Sequence, residues 1–227
     1  MYKILLIDLD DTVLDFKKAE KNAIGKIIRQ FGVEPTEAVL HRYHLINKAH
    51  WERLERGEIT REQVLVGRFQ VLFAELGREA DPTACARAYE KNLSQGHWFL
   101  PGAEEALERL QKSYRLFLAS NGTASVQHGR MKSANLYRFF EGIFISQEIG
   151  YNKPSRDYFE ACFARIPDFD REKTLMVGDS LTSDMLGGVN AGINTVWVNP
   201  DHKAPGAVRP TYEIENLGQL EKLLAEL

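Results

Sequence analysis

Hydrophobic residues follow two periods along this 227-residue chain, with one short run that follows neither. Ile4 to Ile7 (ILLI) is apolar at every position, the pattern of a short strand buried on both faces in the middle of a parallel sheet. From residue 16 to 97 the period lengthens to that of a helix. Ile24, Ile27, Ile28 and Phe31 obey the i, i+3, i+4, i+7 rule, and Gly32 ends that helix. Leu40, Tyr43, Trp51 and Leu54 mark a second, stopping at Gly57. Thr60 and Gln63 make a capping box for a third, with Leu65, Phe69, Leu72, Phe73 and Leu76 on its face and Gly77 at its end. Asp81 as N-cap and Pro82 at the first helical position open a fourth, running to about Gly96. The four read as a small bundle inserted after the first strand.

From Leu100 onward, compact apolar runs alternate with helix-length segments: Tyr114 to Ala119, Gly142 to Ile145, Thr174 to Val177 and Thr195 to Val198. Pro200 to Pro210 reads as a loop and Leu217 to Leu227 as a terminal helix. The expected fold class is α/β: a Rossmann-like parallel sheet with helices on both faces, residues 1–15 and 98–227, carrying an inserted four-helix domain at 16–97. Ligands of such sheets bind at the carboxyl ends of the strands. Here those ends carry Ser120, Ser146, Gly178-Asp179 and Asn199.

Composition narrows the partners. Lys and Arg number 29 against 32 Asp and Glu, a net charge of −3, so no basic excess exists to recruit nucleic acid or an anionic membrane. Any anionic ligand must be held locally. The ILLI run is cut by Asp8, too short for a secretory signal, and no later run approaches a membrane span, so a cytoplasmic protein is expected. Cys85 and Cys162 lack metal or redox spacing and read as small buried hydrophobes. His41, His44 and His50 have no cysteine or carboxylate at a zinc-like interval and read as packing or surface residues.

The chemistry gathers after the first strand, at Asp8, Asp10 and Asp11. Close carboxylates raise one another's pKa, so a positive partner is expected. Asp8 and Asp10, two apart, point to the same side of an extended chain, with a divalent cation as the natural occupant between them. Lys153 precedes Pro154, which suits the first position of a helix; a cation beside that positive end is justified by an anion in the site.

Taken in order, DLDDT at 8–12, SNG at 120–122, KP at 153–154 and GDSLTSD at 178–184 resemble the motifs of the haloacid dehalogenase superfamily of phosphohydrolases, and the helical insertion resembles its small C1-type cap. The resemblance covers essentially the whole chain. It implies a Mg²⁺-dependent phosphatase in which Asp8 is the nucleophile that becomes phosphorylated and Asp10 trades protons with leaving group and water. It further implies phosphate binding by Ser120, Asn121, Lys153 and Thr12, and metal binding by Asp8, the Asp10 main-chain carbonyl and Asp179. Asp184 is either a further ligand or a partner acting through water. Three carboxylates plus a phosphoryl group exceed what Lys153 alone can balance, which agrees with a bound Mg²⁺.

Asp10 is the residue that separates phosphoryl transfer from dehalogenation in that superfamily, and this chain keeps it. Lys17, Lys18, Lys21, Lys26 and Lys48 show no surroundings that would make a Schiff-base amine. Ile46 to Thr60 and the RFQVLF stretch at 68–73 resemble bacterial 5′-nucleotidases acting on pyrimidine and non-standard nucleotides. The expected substrate is therefore a small phosphate monoester, a nucleoside 5′-monophosphate first, with phosphoglycolate or sugar phosphates, a phosphomutase, or a silent binding module as alternatives. Candidate specificity residues are Asp15, Phe16 and Trp51, with Arg61, Arg68 and Tyr89 behind them.

Overall fold

The computed structural model describes residues 1–227. In chain order the elements are β1 (Ile4–Ile7), α1 (Phe16–Arg29), α2 (Glu37–Glu55), α3 (Arg61–Glu75), α4 (Pro82–Leu93), α5 (Ala103–Leu110), β2 (Arg115–Ser120), α6 (Ala124–Ser133), β3 (Gly142–Ile145), α7 (Ser146–Ile149), α8 (Arg156–Phe163), β4 (Thr174–Gly178), α9 (Leu186–Ala191), β5 (Asn194–Val198), β6 (Tyr212–Ile214) and α10 (Leu220–Ala225). The six strands form one parallel sheet in the order β3-β2-β1-β4-β5-β6. β1 is central, and the strand order turns on either side of it, which places the binding crevice at its carboxyl end.

Alternation along β1 explains why all four of its residues are apolar. Leu5 and Ile7 belong to one core cluster, beneath α5, α6 and α10, while Ile4 and Leu6 belong to a second, beneath α8 and α9. All four are at most 2% exposed, each worth roughly 1.5–3 kcal/mol of burial. α1–α4 bury a separate cluster of their own, to which only Val126 of α6 is added from the sheet-bearing part. The caps are those the sequence announces: Thr60 and Gln63 close a reciprocal box, and Asp81 accepts from Thr83 and Ala84 ahead of α4. The cap unit joins the core through two adjacent linkers, where Asp15 donates its N–H to Trp98 O at 2.8 Å and Leu100 its N–H to Val13 O at 2.9 Å. No helix is long and apolar enough to cross a membrane.

Two elements differ from expectation. The segment after the Pro200–Pro210 loop holds a sixth strand, Tyr212–Ile214, before a shorter final helix. α8 begins at Arg156 with Ser155 as its N-cap, so Pro154 precedes the cap and is not the first helical residue. Lys153 therefore owes its position to side chains and not to that helix's positive end.

Candidate active site

Asp8 leaves the end of β1 with its N–H on Val177 O at 2.9 Å and its Oδ1 2.6 Å from Lys153 Nζ. Lys153, 1% exposed, also donates to Ala119 O at 2.6 Å and to Asp184 Oδ1 at 2.7 Å. Three ammonium protons thus meet three acceptors. Burial alone would lower the Lys153 pKa, but Asp184 and Asp8 raise it, so it stays charged. Its loop is pinned by Asn121, whose Nδ2 donates to Lys153 O at 2.9 Å and whose Oδ1 accepts the Lys153 N–H at 2.8 Å. The Asn121 side chain is consequently occupied in holding Lys153, leaving only its main chain to face a phosphate.

Asp179 and Asp184 follow β4, Asp184 on a single π turn at Leu181–Met185. Asp184 packs so tightly beneath Gly178 that a Cβ there would collide with its carboxylate. Its second oxygen accepts the Ser180 N–H at 3.1 Å. One oxygen each of Asp8, Asp179 and Asp184 lie within 4.8 Å of one another. Burial pushes Asp8 up to about 8, against the lowering effect of Lys153, and burial with Asp8 and Asp184 nearby pushes Asp179 well above the carboxylate range. Asp179 makes no side-chain hydrogen bond, and Asp8 has one oxygen beyond its lysine. These carboxylates form a hard-donor cluster short of positive charge, which fits Mg²⁺.

Asp10 does not join that cluster. Its side chain faces α6, where Gln127 Nε2 donates to Oδ2 at 2.7 Å and the Arg130 guanidinium pairs with Oδ1. The strand ends at Ile7 and Asp10 bridges to Leu14 instead of continuing it, but Asp10 still lines the same cavity as Asp8, and its charge helps raise Asp8 and Asp11. Gln127 also donates to Ser120 Oγ at 2.8 Å, and Gly122 N–H reaches the same oxygen at 3.2 Å. With both contacts accepted, the Ser120 hydroxyl keeps its own proton for a ligand. Gly122 must lack a Cβ for Gln127 to fit. Gln127 and Arg130, both buried, were not singled out by the sequence; their only signal is i, i+3 spacing on the helix that follows SNG.

Thr12 and Asp15 fall outside the cavity, whereas Asp11, Phe16 and Trp51 line it. Thr12 is buried with its hydroxyl unpaired and does not line it. Asp15 is the N-cap of α1, accepting from Lys18 N at 2.8 Å. Asp11, with φ +55°, accepts the Phe16 N–H at 3.0 Å and so ties the acidic loop to the cap. Phe16 and Trp51 do line the cavity, together with Glu55, Leu65, Arg68 and Glu90; it measures about 210 Å³ and has Asp8, Ser120, Lys153 and Asp179 on its core side. Tyr89 is sealed inside the bundle.

Side chains on both sides of the cavity fasten the cap over the core. Arg61, at the start of α3, donates through Nη1 to Asn121 O and Gly122 O at 3.1 Å each, and through Nη2 to Ser146 Oγ and Asn152 Oδ1 at 2.6 Å each. Thr182 donates to Glu55 Oε2 at 2.9 Å, and burial raises Glu55 to about 7.

With this geometry in view, the chain is similar to known proteins throughout. Residues 5–198 match the family model described as haloacid dehalogenase-like hydrolase. The HAD-hydrolase YfnB of Bacillus subtilis is 39% identical over 98% of this chain and 95% of its own length. A crystal structure of YfnB bound to magnesium superposes with a TM-score of 0.93 over 98% of both chains and is described as revealing interdomain movement. The pyrimidine 5′-nucleotidase PynA of Streptococcus pneumoniae is 40% identical over 94% of this chain and 91% of its own. YjjG of Escherichia coli, also a pyrimidine 5′-nucleotidase, is 30% identical over 98% and 97%.

Proposed function

This chain belongs to the haloacid dehalogenase-like hydrolase family and is a phosphoric monoester hydrolase, and from that premise we propose that it removes phosphate from a nucleoside 5′-monophosphate by way of an aspartyl phosphate on Asp8. The observation that carries the reading is the cluster of Asp8, Lys153, Asp184 and Asp179 at the carboxyl ends of β1 and β4, with Asp10 in the same cavity held by Gln127 and Arg130. The pyrimidine 5′-nucleotidase names of two whole-length relatives support a nucleotide as the substrate.

One oxygen of Asp8 attacks phosphorus while the other, fixed by Lys153, would be the one left to a metal; an oxygen–phosphorus bond forms to Asp8 and the bond to the 5′ oxygen breaks. Ser120 donates its hydroxyl proton to a phosphoryl oxygen. Asp10 gives a proton to the departing 5′ oxygen, then takes one from the water that attacks the phosphorylated Asp8. In the arrangement seen, both Asp10 oxygens accept from Gln127 and Arg130, which suits the second, proton-taking half. A protonated Asp10 oxygen can still accept through a lone pair while its O–H points to the leaving 5′ oxygen, so the same two partners can hold Asp10 in the first half. Mg²⁺ would be held by Asp8 and Asp179, with Asp184 beside them and the Asp10 carbonyl as the resemblance implies. It would neutralise charge on the phosphoryl oxygens.

The test is a panel of phosphorylated metabolites assayed with Mg²⁺. Nucleoside monophosphates are expected to lead phosphoglycolate and sugar phosphates in kcat/KM; nucleotides ranking last refutes the substrate, and full activity in a chelator refutes the metal.

A further inference from the structure

The cap holds a buried polar chain that phosphoryl transfer does not use. His44 Nδ1 meets Glu20 Oε2 at 2.7 Å, Asn47 Nδ2 donates to Glu20 Oε1 at 2.7 Å, and Arg68 Nη1 donates to Asn47 Oδ1 at 2.8 Å. Glu20, Asn47 and Arg68 are each 2% exposed. The guanidinium is further fixed by Nε on Leu65 O at 3.3 Å and by its plane lying 4.6 Å from the Tyr89 ring centre. A charge buried at this depth is normally paired. Arg68 has no carboxylate partner of its own and its Nη2 has no hydrogen bond, although the residue lines the cavity. Across the same wall the half-buried Glu90 also lines the cavity; its Oε1 is shut away without a partner, and no hydrogen bond reaches its more open Oε2.

An unspent donor and an unspent acceptor on the cap side of one cavity describe what must fill it. A second phosphate or a carboxylate would satisfy Arg68 and be repelled by Glu90; an amine would do the reverse. A planar ring that carries an acceptor next to an N–H satisfies both, and nucleobases present that pairing on their outer edge. Phe16, Leu65 and Leu93 supply apolar walls for such a ring.

We propose that Arg68 and Glu90 read the polar edge of the nucleobase, Arg68 Nη2 donating to a ring carbonyl or ring nitrogen and Glu90 accepting from the adjacent N–H. The inference rests on the nucleotide reading above and assigns it two specificity residues. His44, Glu20 and Asn47 are positioning residues that hold the guanidinium aimed inward.

The experiment measures kcat and KM for uridine 5′-monophosphate and for ribose 5-phosphate, which lacks a base, in the full-length enzyme and in Glu90→Met and Arg68→Lys. Each variant should lower the ratio of the two kcat/KM values by roughly 10- to 100-fold, chiefly through KM for the nucleotide. Glu90→Met keeps length and near volume while removing both acceptor oxygens, so it decides the matter if Arg68→Lys folds poorly. A wild-type enzyme without preference for the nucleotide refutes the nucleotide reading itself. A wild-type preference that both folded variants retain within twofold overturns this inference and leaves that reading standing.

Discussion

Arg61→Ala removes the fork that joins the cap to the phosphate loop and to the loop bearing Lys153. Four acceptors lose a charged donor: two carbonyls at 3.1 Å, and Ser146 Oγ and Asn152 Oδ1 at 2.6 Å. Charge-assisted bonds contribute about 1.5–3 kcal/mol each in isolation, but these acceptors lie at a cap–core seam that water re-enters on opening, so a net loss of about 3 kcal/mol from the closed arrangement is expected. That is on the order of a hundredfold shift toward the open form. All four partners lie outside the cap, so the hydrophobic clusters within cap and core are untouched. kcat/KM should fall ~10- to 100-fold while the melting temperature changes little, and small-angle scattering should show a larger mean radius. Arg61→Lys keeps the charge without the fork and should recover only a minor part. A variant within twofold of wild type in kcat/KM, with an unchanged scattering profile, refutes the latch.

Gln127→Leu takes one donor from Asp10 and one from Ser120 while nearly preserving volume; it should lower kcat by roughly 10-fold or more with KM less affected, and an unaltered kcat contradicts the role. Gly178→Ala drives a methyl into the Asp184 carboxylate and should displace it from Lys153, lowering kcat and weakening Mg²⁺ affinity by isothermal titration; unchanged affinity argues against the cluster as the metal site. Asp8, Glu55 and Asp11 are raised to about 8, 7 and 6, each chiefly by burial. A carboxyl raised on folding binds more protons native than unfolded between its ordinary value, about 4, and its raised one, so unfolding free energy falls as pH rises through that window. Metal-free protein should melt at lower temperature at about pH 8 than at about pH 5, with saturating Mg²⁺ reducing the difference; a melting temperature that climbs with pH is the contrary result.

The sheet was legible because its strands are uniform apolar runs that stop at polar signals, and the cap helices because their ends carry Thr60, Gln63, Asp81 and Pro82. β6 was not, since three residues reading Tyr-Glu-Ile at an edge after a proline loop carry no period. The local motifs located Asp8, Ser120, Lys153, Asp179 and Asp184 at one cavity. What they could not show is the partners: Asp10 is held by Gln127 and Arg130 of α6, and Asn121 spends its side chain on Lys153. Gln127, Arg130 and Arg61 act across about 60 to 120 residues of sequence, and separation of that kind leaves no periodicity to read.

The central claim is that Asp8 accepts the phosphoryl group. Asp10→Asn, mixed with a nucleoside 5′-monophosphate and Mg²⁺, quenched in acid and digested, should carry one phosphoryl group on the peptide containing Asp8, because transfer to Asp8 outlasts the loss of the proton acceptor that completes turnover. The same treatment of Asp8→Asn should give none. A phosphoryl group on another peptide, or an Asp8→Asn enzyme that retains most of its turnover, contradicts the account.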